Sequence, residues 1–341
     1  MTSGAEPLLS VRDLVQEFVV RDYGGVKGGV VNAVSGVSFD VWPGETLGIV
    51  GETGSGKSTL ARSVLQAPRP KKGTVTFRGT DLVTLSGSRL LQARRHLQMV
   101  FQDPFGSLDP KWKVRDLVAE PLIAYRVGDR VARRHRVDQV LELVGLDPAA
   151  HGGRRPRELS GGQAQRVAIA RALAIEPAMI ICDEPVSSLD VLIQAQVLNL
   201  FEQLRAELGL SYLFIAHDLA LVKQVSDRVA VMYLGKLAEV GPGEDVYRQP
   251  LHPYTKALLD SVPGSANAKV STTIRGEPPS PIHPPSGCRF RTRCPRAEQR
   301  CADEEPAMRE LATGHSVACH FPLVPVADTT VRSEQKIGET P

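Results

Sequence analysis

Gly51-Glu52-Thr53-Gly54-Ser55-Gly56-Lys57-Ser58 is the stretch whose reading decides how the rest of the chain is read. It fits the pattern G-x-x-x-x-G-K-[ST], and its neighbours supply the context the pattern requires. The apolar run Thr46-Leu47-Gly48-Ile49-Val50 before it reads as a buried strand, and Ser58 to Gln66 after it carries the apolar spacing of a helix. Strand, glycine-rich loop and helix together make a cradle in which backbone N–H groups and a helix N-terminus meet phosphate oxygens. Gly51, Gly54 and Gly56 let the backbone turn tightly around an anion, Lys57 supplies a point charge for β- and γ-phosphates, and the Ser58 hydroxyl ligates Mg2+. Glu52, Thr53, Ser55 and Thr59 complete the cradle. A glycine-rich turn that matches by chance is the competing explanation, and the correct flanking elements argue against it.

Two further stretches acquire meaning from this loop. Ala178-Met179-Ile180-Ile181-Cys182-Asp183-Glu184 is an apolar strand that delivers two carboxylates at its C-terminal end, where ligands bind in open α/β sheets. Asp183 is expected to hold Mg2+ and Glu184 to polarise the attacking water. Alone, the pair could equally cap the following turn. Leu159-Ser160-Gly161-Gly162-Gln163 precedes a helical run, and by itself it would be a helix N-cap after a flexible turn.

Taken together, these stretches resemble the nucleotide-binding subunit of an ABC transporter. The likeness rests on the phosphate loop, Gln102 in Phe101-Gln102-Asp103-Pro104, the Leu159 to Gln163 signature, the strand ending in Asp183-Glu184, Ser188-Leu189-Asp190, and His217 in Ile215-Ala216-His217-Asp218, all in the family's order. The resemblance implies an ATPase that uses ATP and Mg2+. Its catalytic residues would be Glu184, His217 and Gln102, with Gln102 joining Ser58 and Asp183 around the metal and His217 on the γ-phosphate. It also implies that Ser160, Gly161, Gly162 and Gln163 reach ATP held by the phosphate loop of a second subunit, with Asp190 at the contact between the two heads. One copy of each motif per chain then requires a pair of heads, formed with itself or with a related subunit. An aromatic near the N-terminal sheet usually stacks on adenine in this family; Phe18 is the candidate here, with Tyr23 as the alternative.

The likeness extends beyond the ATPase core. Pro250-Leu251-His252-Pro253-Tyr254-Thr255-Lys256-Ala257-Leu258-Leu259, and Ser107-Leu108-Asp109-Pro110 after Gln102, resemble oligopeptide and dipeptide import ATPases. That subfamily implies two transmembrane permease subunits and an extracytoplasmic solute-binding protein as partners. Its members also carry nickel and other small solutes. Cys288, Cys294, Cys301 and Cys319 are separated by five, six and seventeen residues. Thiolate quartets suit zinc or an iron–sulfur cluster, though zinc pairs are usually closer in sequence. The family pattern implies a [4Fe–4S] cluster; zinc and free thiols packed as small hydrophobes stay open. Cys182, within an apolar strand, reads as core.

Composition fits this picture. The 341 residues carry 41 Lys+Arg against 38 Asp+Glu, a net charge of +3, and are 42% hydrophobic, so bulk disorder is excluded. No apolar run approaches the roughly 20 residues that cross a bilayer, and Met1 to Ser10, without a basic stretch followed by an apolar one, does not read as a secretory signal. The expected location is the cytoplasmic face of the cell membrane, held there by partners. The fold expected is α/β: a P-loop NTPase core over 8–248 with an antiparallel β subdomain from Leu9 to Val41 and a helical subdomain over 88–160. A Cys-containing extension over 249–325 and a polar tail over 326–341 follow. A soluble ABC ATPase acting on nucleic acid is the competing class, and the arginines near Arg94 and Arg133 could be cited for it. A net charge of +3 is a weak phosphate footprint, and arginine clusters are usually a solvated helix face. A nucleotide-binding regulator without hydrolysis conflicts with the presence of Glu184 and His217.

Overall fold

β-branched and aromatic residues alternate with polar ones at the start of the chain, and runs without polar residues follow; these two patterns build two different sheets. A computed structural model describes residues 6–21, 28–261 and 276–323. Tyr23 and the tail 326–341 lie outside the described residues. Among the described residues the strands are β1 (Leu9–Val20), β2 (Gly29–Val41), β3 (Thr46–Val50), β4 (Lys72–Phe77), β5 (Thr80–Asp81), β6 (Leu97–Val100), β7 (Met179–Asp183), β8 (Ser211–Ala216), β9 (Arg228–Tyr233), β10 (Lys236–Pro242), β11 (Arg309–Ala312) and β12 (His315–Val317). The antiparallel expectation for Leu9 to Val41 is met by the sheet β2-β1-β4-β5, in which Leu9, Val11 and Leu14 turn inward.

The second sheet runs β11-β12-β10-β9-β3-β8-β7-β6. β3 lies parallel between β8 and β9, and β7 and β6 extend the parallel part. Every residue of β3, β7 and β8 is buried, as a parallel strand covered on both faces must be. Phe201, from the helix Val191–Leu208, fills the space over β8, meeting Tyr212 and Phe214 edge-on at 5.4 and 5.8 Å. The C-terminal ends of β3, β7 and β8 therefore lie side by side, and Gly51, Glu184 and His217 are the residues that follow them.

The stretch 88–160 is not helical throughout. After the helix Gly87–Arg95 the chain enters the main sheet as β6 before the helices Pro104–Ser107, Val114–Ala124, Arg130–Leu143 and Pro148–His151. β6 escapes a periodicity reading because only Leu97 and Val100 are fully buried in a four-residue strand, which is neither alternation nor an apolar run. The helix Gly161–Leu173 packs against this group and belongs with it in space. Arginines of the stretch 88–160 have intrachain work. Arg94 donates to the carbonyls of Leu65 and Gln66, and Arg136 donates to those of Leu173 and Ala174 at a helix C-terminus, where a cation is favoured.

The C-terminal extension completes the main sheet at its edge through β12 and β11 rather than standing apart. Glu239 of β10 is fully buried, and it accepts from the N–H groups of Leu251 and His252, both at 2.8 Å, and pairs with His315 Nε2 at 2.7 Å. One satisfied carboxylate thus ties three segments together. His252 caps the helix Pro253–Asp260 by accepting from the Tyr254 N–H, and burial pushes its pKa down to about 4 despite Glu239 nearby. The folded chain therefore takes up this proton only near pH 4, whereas the unfolded chain takes it up near 6.5. Stability is lost as pH falls across that window, by at most about 3 kcal/mol from this residue, and is flat again below it. In chemical denaturation at pH 7 and pH 4.5, His252→Asn, which can still cap, should lose less stability than the parent.

Candidate active site

β3 delivers the chain into the glycine loop, and the loop's shape depends on missing side chains. Gly56 has φ +104°, and a Cβ there would meet the Ala33 carbonyl oxygen at 2.1 Å. Gly56 is the N-cap of the helix Lys57–Val64, which has no acidic residue in its first turn, so the positive end of the helix is not neutralised within it. Lys57 is buried, and its Nζ donates to the carbonyls of Gly51 at 2.7 Å and Glu52 at 3.0 Å, folding back over the loop. Burial lowers the Lys57 pKa, while the carboxylates of Glu184, Asp183 and Glu52 favour its charged form.

Ser58 and Asp183 meet across the mouth of the loop, Oγ donating to Oδ1 at 2.7 Å. Asp183 is buried at the end of β7, and burial raises its pKa against the pull of Ser58, Arg62 and Lys57. A hydroxyl and a carboxylate side by side are the hard oxygen donors that Mg2+ takes together with phosphate oxygens. These residues fit that ion.

Glu184, one residue on, has φ +48°, a left-handed conformation rarely adopted by a residue with a side chain and costing about 1–3 kcal/mol. Its N–H donates to Ile215 O at 2.9 Å, which pins it between the ends of β7 and β8. Its Oε2 accepts from Gln102 Nε2 at 3.1 Å and lies 3.2 Å from His217 Nδ1. A carboxylate oxygen only accepts, so His217 carries a proton on Nδ1. Gln102 follows β6, Glu184 follows β7 and His217 follows β8. Three segments far apart in sequence thus converge on one oxygen, leaving Oε1 unused by either partner.

The signature lies elsewhere. Ser160 caps the helix Gly161–Leu173 in a reciprocal box, its hydroxyl accepting from Gln163 N–H and its own N–H donating to Gln163 Oε1. A Cβ on Gly162 would come within 2.6 Å of Ile193 Cγ2, so the glycine lets this helix sit against the start of Val191–Leu208. Asp190 caps that helix through the Ile193 N–H. Among the described residues no hydrogen bond joins Ser160 to Gln163, or Asp190, to the phosphate loop. Beside Asp190, Val191 and Leu192 are 81% and 70% exposed. Phe18, partly exposed, pairs with Val31, two residues before the Ala33 carbonyl that Gly56 approaches.

Two contacts on the loop had no signal in the sequence. Tyr254 OH accepts from the Glu52 N–H at 2.9 Å, and Arg293 Nη1 donates to the Glu52 carboxylate at 2.8 and 3.2 Å. Both partners come from the C-terminal extension, more than 200 positions away, where no local spacing can announce them.

The cysteine quartet is gathered in one place. Cys288, Cys294, Cys301 and Cys319 do border one small cavity, with His252, Phe290 and His320. Yet among the described residues no group of three or more His, Cys, Asp or Glu is arranged to hold a metal ion. Burial pushes the thiols of Cys288 and Cys294 up and that of Cys319 up to about 11. Cys288 and Cys294 pack against the core that contains Phe290. The expected [4Fe–4S] cluster therefore has no support in this geometry, and zinc has none either.

A parallel sheet with a glycine loop after β3, an oxygen pair for a divalent cation and a held carboxylate beyond it define a phosphate-loop ATPase. Residues 34–187 match the ABC transporter family model, and residues 238–301 match the C-terminal region of oligopeptide/dipeptide transporters. The chain is 48% identical to the oligopeptide transport ATP-binding protein AppF of Bacillus subtilis, covering 93% of this chain and 98% of that one. It is 47% identical to the oligopeptide transport ATP-binding protein OppF of Escherichia coli, covering 94% and 97%. Among solved structures, the dimeric post-hydrolysis state of the ATP-binding cassette MJ0796 bound to ADP and Pi matches with TM-score 0.61 at 27% identity, covering 69% of this chain and 98% of that one. CbiO1 of Clostridium perfringens, part of an ABC transporter complex, matches with the same TM-score at 28% identity, covering 72% and 92%. The chain belongs to the ABC transporter family of ATPases, in its oligopeptide/dipeptide branch.

Proposed function

We propose that the chain is one ATP-hydrolysing head of an importer that moves oligopeptides or dipeptides across the cytoplasmic membrane. The observation that carries this reading is the convergence of Gln102 and His217 on one oxygen of Glu184, beside the Ser58–Asp183 pair. The loop N–H groups and Lys57 bind the β- and γ-phosphates of ATP. Ser58 and Asp183 hold Mg2+, and the carbonyl oxygen of Gln102 is available to it because its amide nitrogen is spent on Glu184. The ion, when bound, neutralises charge on the transferring phosphoryl group. With Oε2 held on two sides, Oε1 of Glu184 faces the attacking water and polarises it. His217 contacts the γ-phosphate, and Phe18 stacks on adenine.

The signature completes this site in a second head. Ser160, Gly161, Gly162 and Gln163 close on the partner's γ-phosphate, and Asp190 with the exposed Val191 and Leu192 forms part of the contact. The partner is a related ATPase or a second copy. Dimeric MJ0796 with bound ADP and Pi supports that arrangement by likeness. Among the described residues no helix is long and apolar enough to cross a membrane. Two permease subunits, fed by a solute-binding protein, form the passage. Between the helical group and the core lies a groove of about 390 Å³ bordered by Leu91, Phe101, Pro121, Tyr125 and Arg171, a seat for a permease segment. Co-expression with such permeases should recover the chain in the membrane fraction, with ATPase activity stimulated by the peptide-loaded binding protein. A chain that stays free of permeases and binds DNA in a salt-sensitive way would overturn the assignment.

A further inference from the structure

We infer that the C-terminal extension is a working part of the ATP site, with Arg293 as a positioning residue that neutralises Glu52 and through it holds the phosphate loop for the triphosphate. The inference rests on reading 51–58 as that loop. A carboxylate within a loop that binds a polyanion opposes its ligand, and the Glu52 charge reaches into the site, since it is one of the three that bear on Lys57. Arg293 answers it. Only 9% exposed, it donates to both oxygens of Glu52, at 2.8 and 3.2 Å, and to Tyr233 OH at 3.3 Å.

The seat behind Arg293 is rigid. Tyr233, Tyr254 and Phe290 pack with ring centroids 4.6 to 5.2 Å apart, and the Arg293 N–H donates to the Phe290 carbonyl at 3.0 Å. Tyr254, fully buried, takes the Glu52 N–H, while the Glu52 carbonyl takes Lys57 Nζ at 3.0 Å. The residue that the extension clamps by its carboxylate and its N–H is therefore the one on which the phosphate-binding lysine rests. Without Arg293, Glu52 is left as an unpaired charge next to the phosphates, and the anchor of Lys57 is loosened. An ion pair that served folding alone would have no such link to nucleotide.

The test is steady-state ATP hydrolysis and fluorescent ATP-analogue binding by the full chain assembled with its partner subunits. Arg293→Ala should raise the KM for ATP about tenfold with kcat changed by less than about threefold, and Arg293→Lys should recover most of the affinity. In a Glu52→Gln background, removing Arg293 should move KM by less than about twofold, because the charge it neutralises is already gone. Arg293→Gln, a closer replacement in size, gives the same comparison should the alanine variant not fold. An unchanged KM in the Arg293 variants, or losses that simply add to those of Glu52→Gln, would overturn the inference. Lys57→Ala separates this outcome from failure of the underlying reading: if it too leaves nucleotide binding intact, the loop itself is not the phosphate site.

Discussion

Glu184→Gln is expected to bind ATP about as well as the parent chain and to hydrolyse it about a thousandfold more slowly, within the range that loss of a positioned general base produces. The replacement has the same shape and still offers an acceptor oxygen to Gln102 and His217, so the φ +48° turn and the Ile215 contact that hold the residue in place are undisturbed. What is lost is the negative charge that draws a proton from the attacking water. With ATP bound and not consumed, the two heads should stay closed on each other, and light scattering should find a dimer that forms only with ATP and Mg2+. Phosphate release at near the parent rate would remove Glu184 from the role assigned to it.

Lys57→Ala should act at the binding step instead, lowering nucleotide affinity by about a hundredfold or more, as loss of a charge-assisted partner in a dry site does. Lys57 is 4% exposed, and its ammonium joins two carbonyls of the loop to the end of the helix that follows. Alanine takes away both the charge for the β- and γ-phosphates and the donor that satisfies those carbonyls. Titration with a fluorescent ATP analogue reads the change. Binding equal to that of the parent would count against the phosphate-loop assignment.

Much of the candidate site is legible in sequence because its parts are local. A strand that ends at glycine before G-K-S announces itself within a few residues, while the strand that ends in two carboxylates and the one that ends before histidine take their meaning from it, and parallel packing then brings Gly51, Glu184 and His217 to one edge. β6 is not legible, since four residues with two inward positions carry too little period to be told from the helices around them. Nor is the union of the extension with the core, which depends on Glu239 meeting His315 and on Arg293 meeting Glu52, pairs set by tertiary approach alone. The cysteines are a different case. Their residue type and clustering suggest a cluster site, while coordination depends on side-chain directions that spacing does not encode.

The most direct measurement is uptake of a labelled oligopeptide into vesicles that hold this chain, its partner ATPase and the two permeases, with the solute-binding protein outside and ATP enclosed on the side of this chain. Accumulation that requires ATP and disappears with Glu184→Gln is the predicted result. Accumulation that continues with Glu184→Gln, or ATP hydrolysis with no peptide moved, would contradict the coupling of this site to import.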